Sequence, residues 1–142
     1  RRTMMFMNAQ KPGLIKDAYI YGCDSIMLDL EDAVAENQKD AARFSLYHAL
    51  KTIDYGDTEV IVRINGLDTP HWQEDVRVCV AGGADGIRIA KCESAQDVLT
   101  VERAVEAAEE EFGVEEMEED DLSGISTVSD LVRYLKGKLE ED

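Results

Sequence analysis

Ser25-Ile26-Met27-Leu28-Asp29-Leu30, with Glu31 and Asp32 directly behind it, is a short apolar run that ends in acid. Apolar residues that do not alternate with polar ones over such a length read as a parallel strand covered on both faces. Three further runs have the same character: Thr3-Met4-Met5-Phe6-Met7, Glu59-Val60-Ile61-Val62-Arg63-Ile64 and Gly86-Ile87-Arg88-Ile89-Ala90. Between them the apolar residues fall at helical spacing. Ala42, Leu46, Ala49 and Ile53 share one face, as do Trp72, Val76 and Val80. Val98, Val101, Val105, Ala108 and Phe112 give the longest stripe, over residues 95–112. Four β-α units in succession predict an α/β fold.

Polar residues gather where such a fold holds its ligands. Asp29, Glu31 and Asp32 close the second run, Arg63 and Asn65 the third, Arg88 and Lys91 the fourth. In parallel α/β sheets the carboxyl ends of the strands and the loops after them form the binding site. The pattern predicts a polar pocket with both signs of charge; the plain alternative is strand-end residues paired with one another. Arg63 tips the reading towards a pocket, because it lies inside an apolar strand. A buried arginine needs a carboxylate, from the protein or from a ligand.

Composition narrows the function classes. The chain has 142 residues, 44% of them hydrophobic, and 31 acids against 15 bases for a net charge of -16. An acidic surface repels phosphate backbones and anionic lipid, so neither a nucleic-acid nor a membrane partner is expected. No apolar stretch approaches the ~18 residues of a membrane helix, and no signal peptide is visible. Cys23, Cys79 and Cys92 form no CxxC pair and have no flanking histidines. They read as buried or half-buried thiols of a cytoplasmic protein rather than as a zinc site or a disulfide framework.

Several features take bland readings. His48 and His71 have no neighbouring nucleophile and are expected at the surface. Gly22 and Gly82-Gly83 precede strands, where glycine ends the previous helix. Met4, Met5 and Met7 are expected in the core, and Lys11-Pro12-Gly13 could line the pocket.

From residue 113 the character changes. Residues 113–142 carry ten acids against Arg133, Lys136 and Lys138, and no apolar run follows. Glu115 to Asp121 reads as a charged loop. Thr127 and Asp130 then form a candidate capping box for a helix striped by Val128, Leu131, Val132, Leu135 and Leu139. The expected division is a β/α segment over 1–112 and an acidic loop plus helix over 113–142.

The first segment resembles the beginning of the citrate lyase beta subunits of the aldolase/citrate lyase superfamily. The likeness lies in Arg1-Arg2-Thr3-Met4-Met5-Phe6, in Met27-Leu28-Asp29-Leu30-Glu31-Asp32-Ala33-Val34, in Val62-Arg63-Ile64-Asn65 and in Gly82-Gly83-Ala84-Asp85-Gly86-Ile87-Arg88-Ile89-Ala90-Lys91. From about Ala107 onward the chain resembles instead the second half of an acyl carrier protein. That likeness rests on Glu109-Glu110-Glu111-Phe112-Gly113-Val114, the acidic loop and the helix behind it. A carrier holds phosphopantetheine on a serine of an Asp-Ser-Leu motif. The matching place here reads Asp97-Val98-Leu99, so no prosthetic arm is expected. The two likenesses overlap in one helix, which implies a chimera joined there or a shortened lyase with a carrier-like tail.

The resemblance implies a TIM-type (β/α) barrel that uses magnesium to cleave a citryl thioester, on an acyl carrier or coenzyme A, into oxaloacetate and an acetyl thioester. By resemblance Arg63 is catalytic and holds a substrate carboxylate in a fork that lysine could not copy. Glu31 and Asp32 would orient water around the metal without touching it. Asn65 and Lys91 would bind substrate at the pocket rim.

The family's direct metal ligands are a glutamate and an aspartate on later strands. A full barrel needs about 250 residues and eight strands, and four are legible here. The expectation is thus a half barrel or an open parallel sheet, poorly active alone. Open strand edges and an uncovered face call for cover. A second copy closing a ring, the carrier-like helix, or an open layered sandwich would each supply it.

Overall fold

In a computed structural model, residues 1–113 are described, and they form the expected parallel sheet. The strands are β1 (Met4–Asn8), β2 (Ser25–Asp29), β3 (Glu59–Arg63) and β4 (Gly86–Arg88), paired in the order β1-β2-β3-β4 with every pair parallel. The helices are α1 (Pro12–Ile15), α2 (Lys39–Thr52), α3 (Trp72–Gly82) and α4 (Ala95–Phe112). Short 3-10 turns at Ala18–Tyr21 and Glu36–Gln38 complete the connections. The acidic loop and tail helix expected beyond residue 113 lie outside the described residues.

Sequential strand order decides between the open architectures. A doubly wound sheet reverses its order at a switch point, whereas a barrel adds each strand beside the last. Here the order never reverses, and among the described residues the helices pack on one face only. Met7, Ile26, Leu28, Val60 and Val62 face them and form a single core with Ala42, Leu46 and Ala49 of α2, Val76 and Cys79 of α3, and Val101 of α4. Burial of each such aliphatic side chain contributes about 1.5–3 kcal/mol. The layout is a sector of a (β/α) barrel.

The expectation of strands covered on both faces is corrected by the other side of the sheet. Met4, Phe6 and Arg88 are exposed there. β2 is nonetheless buried along its whole length, because it sits between two strands and beneath their side chains. Continuous apolar character came from that central position, not from a second helix layer.

The helical stripes also shift. In α2, Lys39 joins Ala42, Leu46 and Ala49 as a buried residue. In α3 the inward positions are Asp75, Val76, Cys79 and Gly82, while Trp72 and Val80 are half-buried. Val101 and Ala108 carry α4 inward, and Val98 and Phe112 are exposed. Glycine at the end of α3 serves two purposes. Gly83 takes φ +82° and ends the helix, its N–H donating to the Cys79 and Val80 carbonyls. Gly82 lets α2 approach, since a Cβ there would lie 2.5 Å from Leu50 Cδ1.

Of the thiols, Cys79 is buried, Cys23 half-buried and Cys92 exposed, and none forms a disulfide. No helix among the described residues is long and apolar enough to cross a membrane.

Candidate functional site

Register places four side chains in one row at the carboxyl edge of the sheet. Asn8 pairs with Asp29, Asp29 with Arg63 and Arg63 with Arg88. Partners in adjacent parallel strands point to the same face, here the face without helices.

Asp29 organises the row. Arg63 donates to it in a fork, Nε to Oδ1 at 2.8 Å and Nη2 to Oδ2 at 2.6 Å. The same carboxylate accepts from the backbone N–H of Glu31 at 2.9 Å and of Ala33 at 3.3 Å, which folds the chain back after β2. Burial alone would raise the Asp29 carboxyl, but the hydrogen bonds from Arg63 and from the two backbone N–H groups outweigh it and hold it below the ordinary range. Arg63 is raised in turn, chiefly through its hydrogen bonds to Asp29.

Glu31 bridges two cations. Its Oε2 lies 3.2 Å from Arg63 Nη1 and its Oε1 3.1 Å from Lys91 Nζ, while the side chain is almost wholly buried. Burial works against ionisation, yet Lys91, the Asp32 N–H and Arg63 together lower the carboxyl. Lys91 reaches Glu31 from a backbone at φ +51°, in the left-handed region that non-glycine residues rarely occupy. Such a conformation persists where the surroundings impose it, and it recurs at functional sites. Asp32 is exposed, its N–H donating to Glu31 Oε2 at 3.0 Å.

The predicted residues Arg63, Glu31, Asp32 and Lys91 therefore meet. Asn65 follows a different path. It is buried, and its N–H and Nδ2 both donate to Asp75 Oδ2, at 2.9 and 2.6 Å. Lys11, Pro12 and Gly13 form the start of α1 and make no side-chain bond to the cluster. His71 pairs with Glu36, and His48 stacks edge-on with Phe44 at the surface. Arg1, Arg2 and Thr3 bind Glu59 and Asp24 at the opposite, amino end of the strands.

Three supporting residues escaped the reading of the sequence. Lys39 is buried, and its Nζ donates to the carbonyls of Leu30 at 2.8 Å and Glu31 at 2.7 Å, fixing the loop after β2. Asp75 is fully buried and holds the loop after β3 through Asn65. Arg43 neutralises it, Nη1 to Oδ1 at 2.9 Å. A signal existed for Lys39, which precedes Ala42 by one stripe interval. Asp75 gave none beyond its place beside Val76.

This arrangement can hold an anion and exclude wrong geometries. It offers no nucleophile. Magnesium fits it only at arm's length: Asp29 and Glu31 are committed to cations, and no group of three or more His, Cys, Asp or Glu among the described residues could hold a metal.

Comparison with known proteins adds the family. The family model of the HpcH/HpaI aldolase/citrate lyases matches residues 2–129. The chain belongs to that family. The match runs past residue 113 to residue 129 and lends no support to a carrier-like segment beginning there. The citrate lyase beta subunit of Leuconostoc mesenteroides is 51% identical over 113 residues, which cover 80% of this chain and 37% of that one. The L-malyl-CoA/beta-methylmalyl-CoA lyase of Cereibacter sphaeroides is 37% identical, covering 79% and 36%. A citrate lyase beta subunit of Mycobacterium tuberculosis, solved with oxaloacetate and magnesium, superposes with TM-score 0.59 at 33% identity, covering 69% of this chain and 42% of that chain. The chain thus spans no more than about two fifths of the length of the curated relatives it matches.

Proposed function

We propose that residues 1–113 form the arginine-bearing wall of a lyase site that splits a citryl-type thioester into oxaloacetate and an acetyl thioester. The observation that carries this reading is the forked grip of Asp29 on Arg63 at the carboxyl edge of the sheet. Guanidinium has five N–H donors, and the fork consumes two. Glu31 faces Nη1 at 3.2 Å, which leaves one N–H on each of Nη1 and Nη2 for a substrate carboxylate to take with little loss of rotamer entropy.

The reaction breaks the bond between the carbinol carbon and the methylene next to the thioester. Its electron pair passes to the thioester as an enolate while the carbinol loses its hydroxyl proton and becomes the ketone, and the enolate carbon then takes up one proton to give the acetyl thioester. Arg63 holds the carboxylate beside that new ketone. Lys91 lies at the rim, and Glu31 and Asp32 would orient the water of a magnesium ion. Bound magnesium would offset negative charge on the keto-acid oxygens. Its direct ligands are not among the described residues, so we read these residues as binding the keto acid without cleaving efficiently on their own. Later residues of a longer chain, or a second copy, would complete the site. Coenzyme A or an acyl carrier would bear the thioester, in the cytoplasm, and the segment from residue 113 would serve docking without a phosphopantetheine arm.

A second reading has one observation in its favour. Asp29, Glu31, Arg63 and Lys91 satisfy one another with no ligand, as a non-catalytic folded module would require. Calorimetry on the full chain separates the two. With magnesium present, the lyase reading expects oxaloacetate to bind and Arg63→Gln to weaken it at least about tenfold, the scale of a charge-assisted hydrogen bond. Equal binding by both proteins, or none by either, sinks it.

A further inference from the structure

Arg63 and Arg88 are register partners at the last rung of β3 and β4, so both side chains leave the sheet on the helix-free face. Their guanidinium carbons lie 5.6 and 5.7 Å from the centre of the same Phe6 ring, so both make a cation–π contact with one aromatic side chain. They differ in what they grip. Arg63 is engaged by Asp29 and Glu31. Arg88 is exposed and meets no carboxylate among the described residues; its one contact of note is the ring. Asp29 and Glu31 pair with Arg63 and Lys91, and the exposed Asp32 adds a further negative charge beside them, but no carboxylate among the described residues lies within ion-pair distance of Arg88.

Two cations on the ends of neighbouring strands, whose backbones run about 4.8 Å apart, suit an anion with two carboxylates. The family's chemistry supplies such a choice. A citryl thioester has two free carboxylates, one on the carbinol carbon and one on a carboxymethyl arm, and cleavage leaves both on oxaloacetate. A malyl thioester has hydrogen in place of that arm, and the same bond cleavage gives glyoxylate with a single carboxylate. Both products leave beside an acetyl thioester, so the arm is the whole difference.

We propose that Arg88 binds the carboxylate of this arm and thereby sets a preference for citryl-type over malyl-type substrates. The proposal rests on the lyase reading, with Arg63 taking the carboxylate common to both. Phe6 keeps the Arg88 guanidinium near its working position before the ligand arrives, and no carboxylate among the described residues occupies its donors.

The test is calorimetry on the full chain with magnesium, titrating oxaloacetate and, separately, glyoxylate. The proposal expects the unaltered protein to prefer oxaloacetate. Arg88→Met should weaken oxaloacetate about tenfold, as loss of one charge-assisted contact does, and change glyoxylate less than about twofold. Lys51→Met removes an equal charge at a distance and should change neither. Arg63→Gln should weaken both ligands. A thermal melt verifies folding, and Arg88→Gln serves as a second variant should methionine disturb the Phe6 contact. Unchanged preference in both Arg88 variants overturns the proposal while the Arg63 result leaves the lyase reading standing. Equal losses in Lys51→Met overturn it too, as a general charge effect. Failure of the unaltered protein to bind either acid removes the lyase reading and this proposal together.

Discussion

Asp29 accepts four hydrogen bonds, two from a guanidinium and two from backbone, while almost fully buried. Asparagine has nearly the same shape but would turn an NH2 towards Arg63. Breaking a buried pair by altering one partner costs about 3–5 kcal/mol. Glu31 still faces Arg63, so Asp29→Asn is expected at the low end, about 3 kcal/mol, read as a drop in the urea midpoint. Asp75 presents the starker case. Its removal leaves the half-buried Arg43 with only the exposed Asp40 as partner and orphans both donors of Asn65. Asp75→Ala should therefore cost the full 3–5 kcal/mol or so, and Arg43→Met combined with it should recover part of the loss. Exact additivity of the two substitutions in a double-mutant cycle would deny that they are coupled. At this scale the sequence was informative about charge and mute about partners. Arg63 announced itself by standing in an apolar strand, whereas nothing local told which carboxylate, Asp29 or a ligand's, would meet it. Pairing across strands depends on register, and register is not written in either strand alone.

The elements were more legible than the pairs. Each apolar run became a strand within a residue or two, because a run buried by its neighbours needs no help from distant sequence. β4 is the shortest: it stops at Arg88, and the chain then turns through Lys91 rather than extending to Ala90. Helix faces were harder to read. The spacing of Trp72, Val76 and Val80 fitted a stripe, yet α3 turns Asp75 and Cys79 inward, and there Asp75 meets the half-buried Arg43 of α2. The glycine pair behind this helix yields a prediction that separates two physical causes. Gly83→Ala places a Cβ in the left-handed region and should cost about 1–2 kcal/mol. Gly83→Asn should cost less, because asparagine tolerates that conformation. At Gly82 the helical backbone suits alanine, but the new Cβ would sit 3.1 Å from Leu50 Cβ as well as against Cδ1. Overpacking of this kind costs about 1–3 kcal/mol, and Leu50→Ala should relieve it. Melting temperatures of the four variants check both claims; a Gly82→Ala protein as stable as the parent would mean α2 can retreat.

For the whole molecule, the ion pairs at both ends of the sheet make stability a function of pH. Asp29 and Glu31 at the carboxyl end, and Asp24 and Glu59 at the amino end, are all held below the ordinary carboxylate range by the groups that face them. A carboxyl lowered on folding contributes stability above its unfolded value, about 3.9 for Asp and 4.3 for Glu. That contribution is lost as pH falls through the folded value, because the unfolded chain then binds more protons. Asp24 and Glu59 are half-buried and pair with exposed arginines that solvent screens, so the buried Asp29 and Glu31 dominate the loss. The opposite limb belongs to the core. Burial raises the Cys79 thiol, followed by a smaller effect of Asp75, and burial raises the Tyr55 hydroxyl. Both groups stay neutral when folded, whereas the unfolded chain ionises them above about pH 8.5 and 10, so stability falls again as pH rises. The expected profile is a plateau between about pH 5 and 8 with a decline on each side. Urea midpoints at pH 3, 4, 5, 7 and 9 measure it, and two substitutions assign the limbs. Cys79→Ala should flatten the first part of the alkaline decline. In Asp29→Asn the acid decline should be shallower as well as starting from lower stability. If the Asn variant loses stability with acid as steeply as the parent, the strand-end cluster is not what acid destroys, and the weight must lie with the pairs at the amino end.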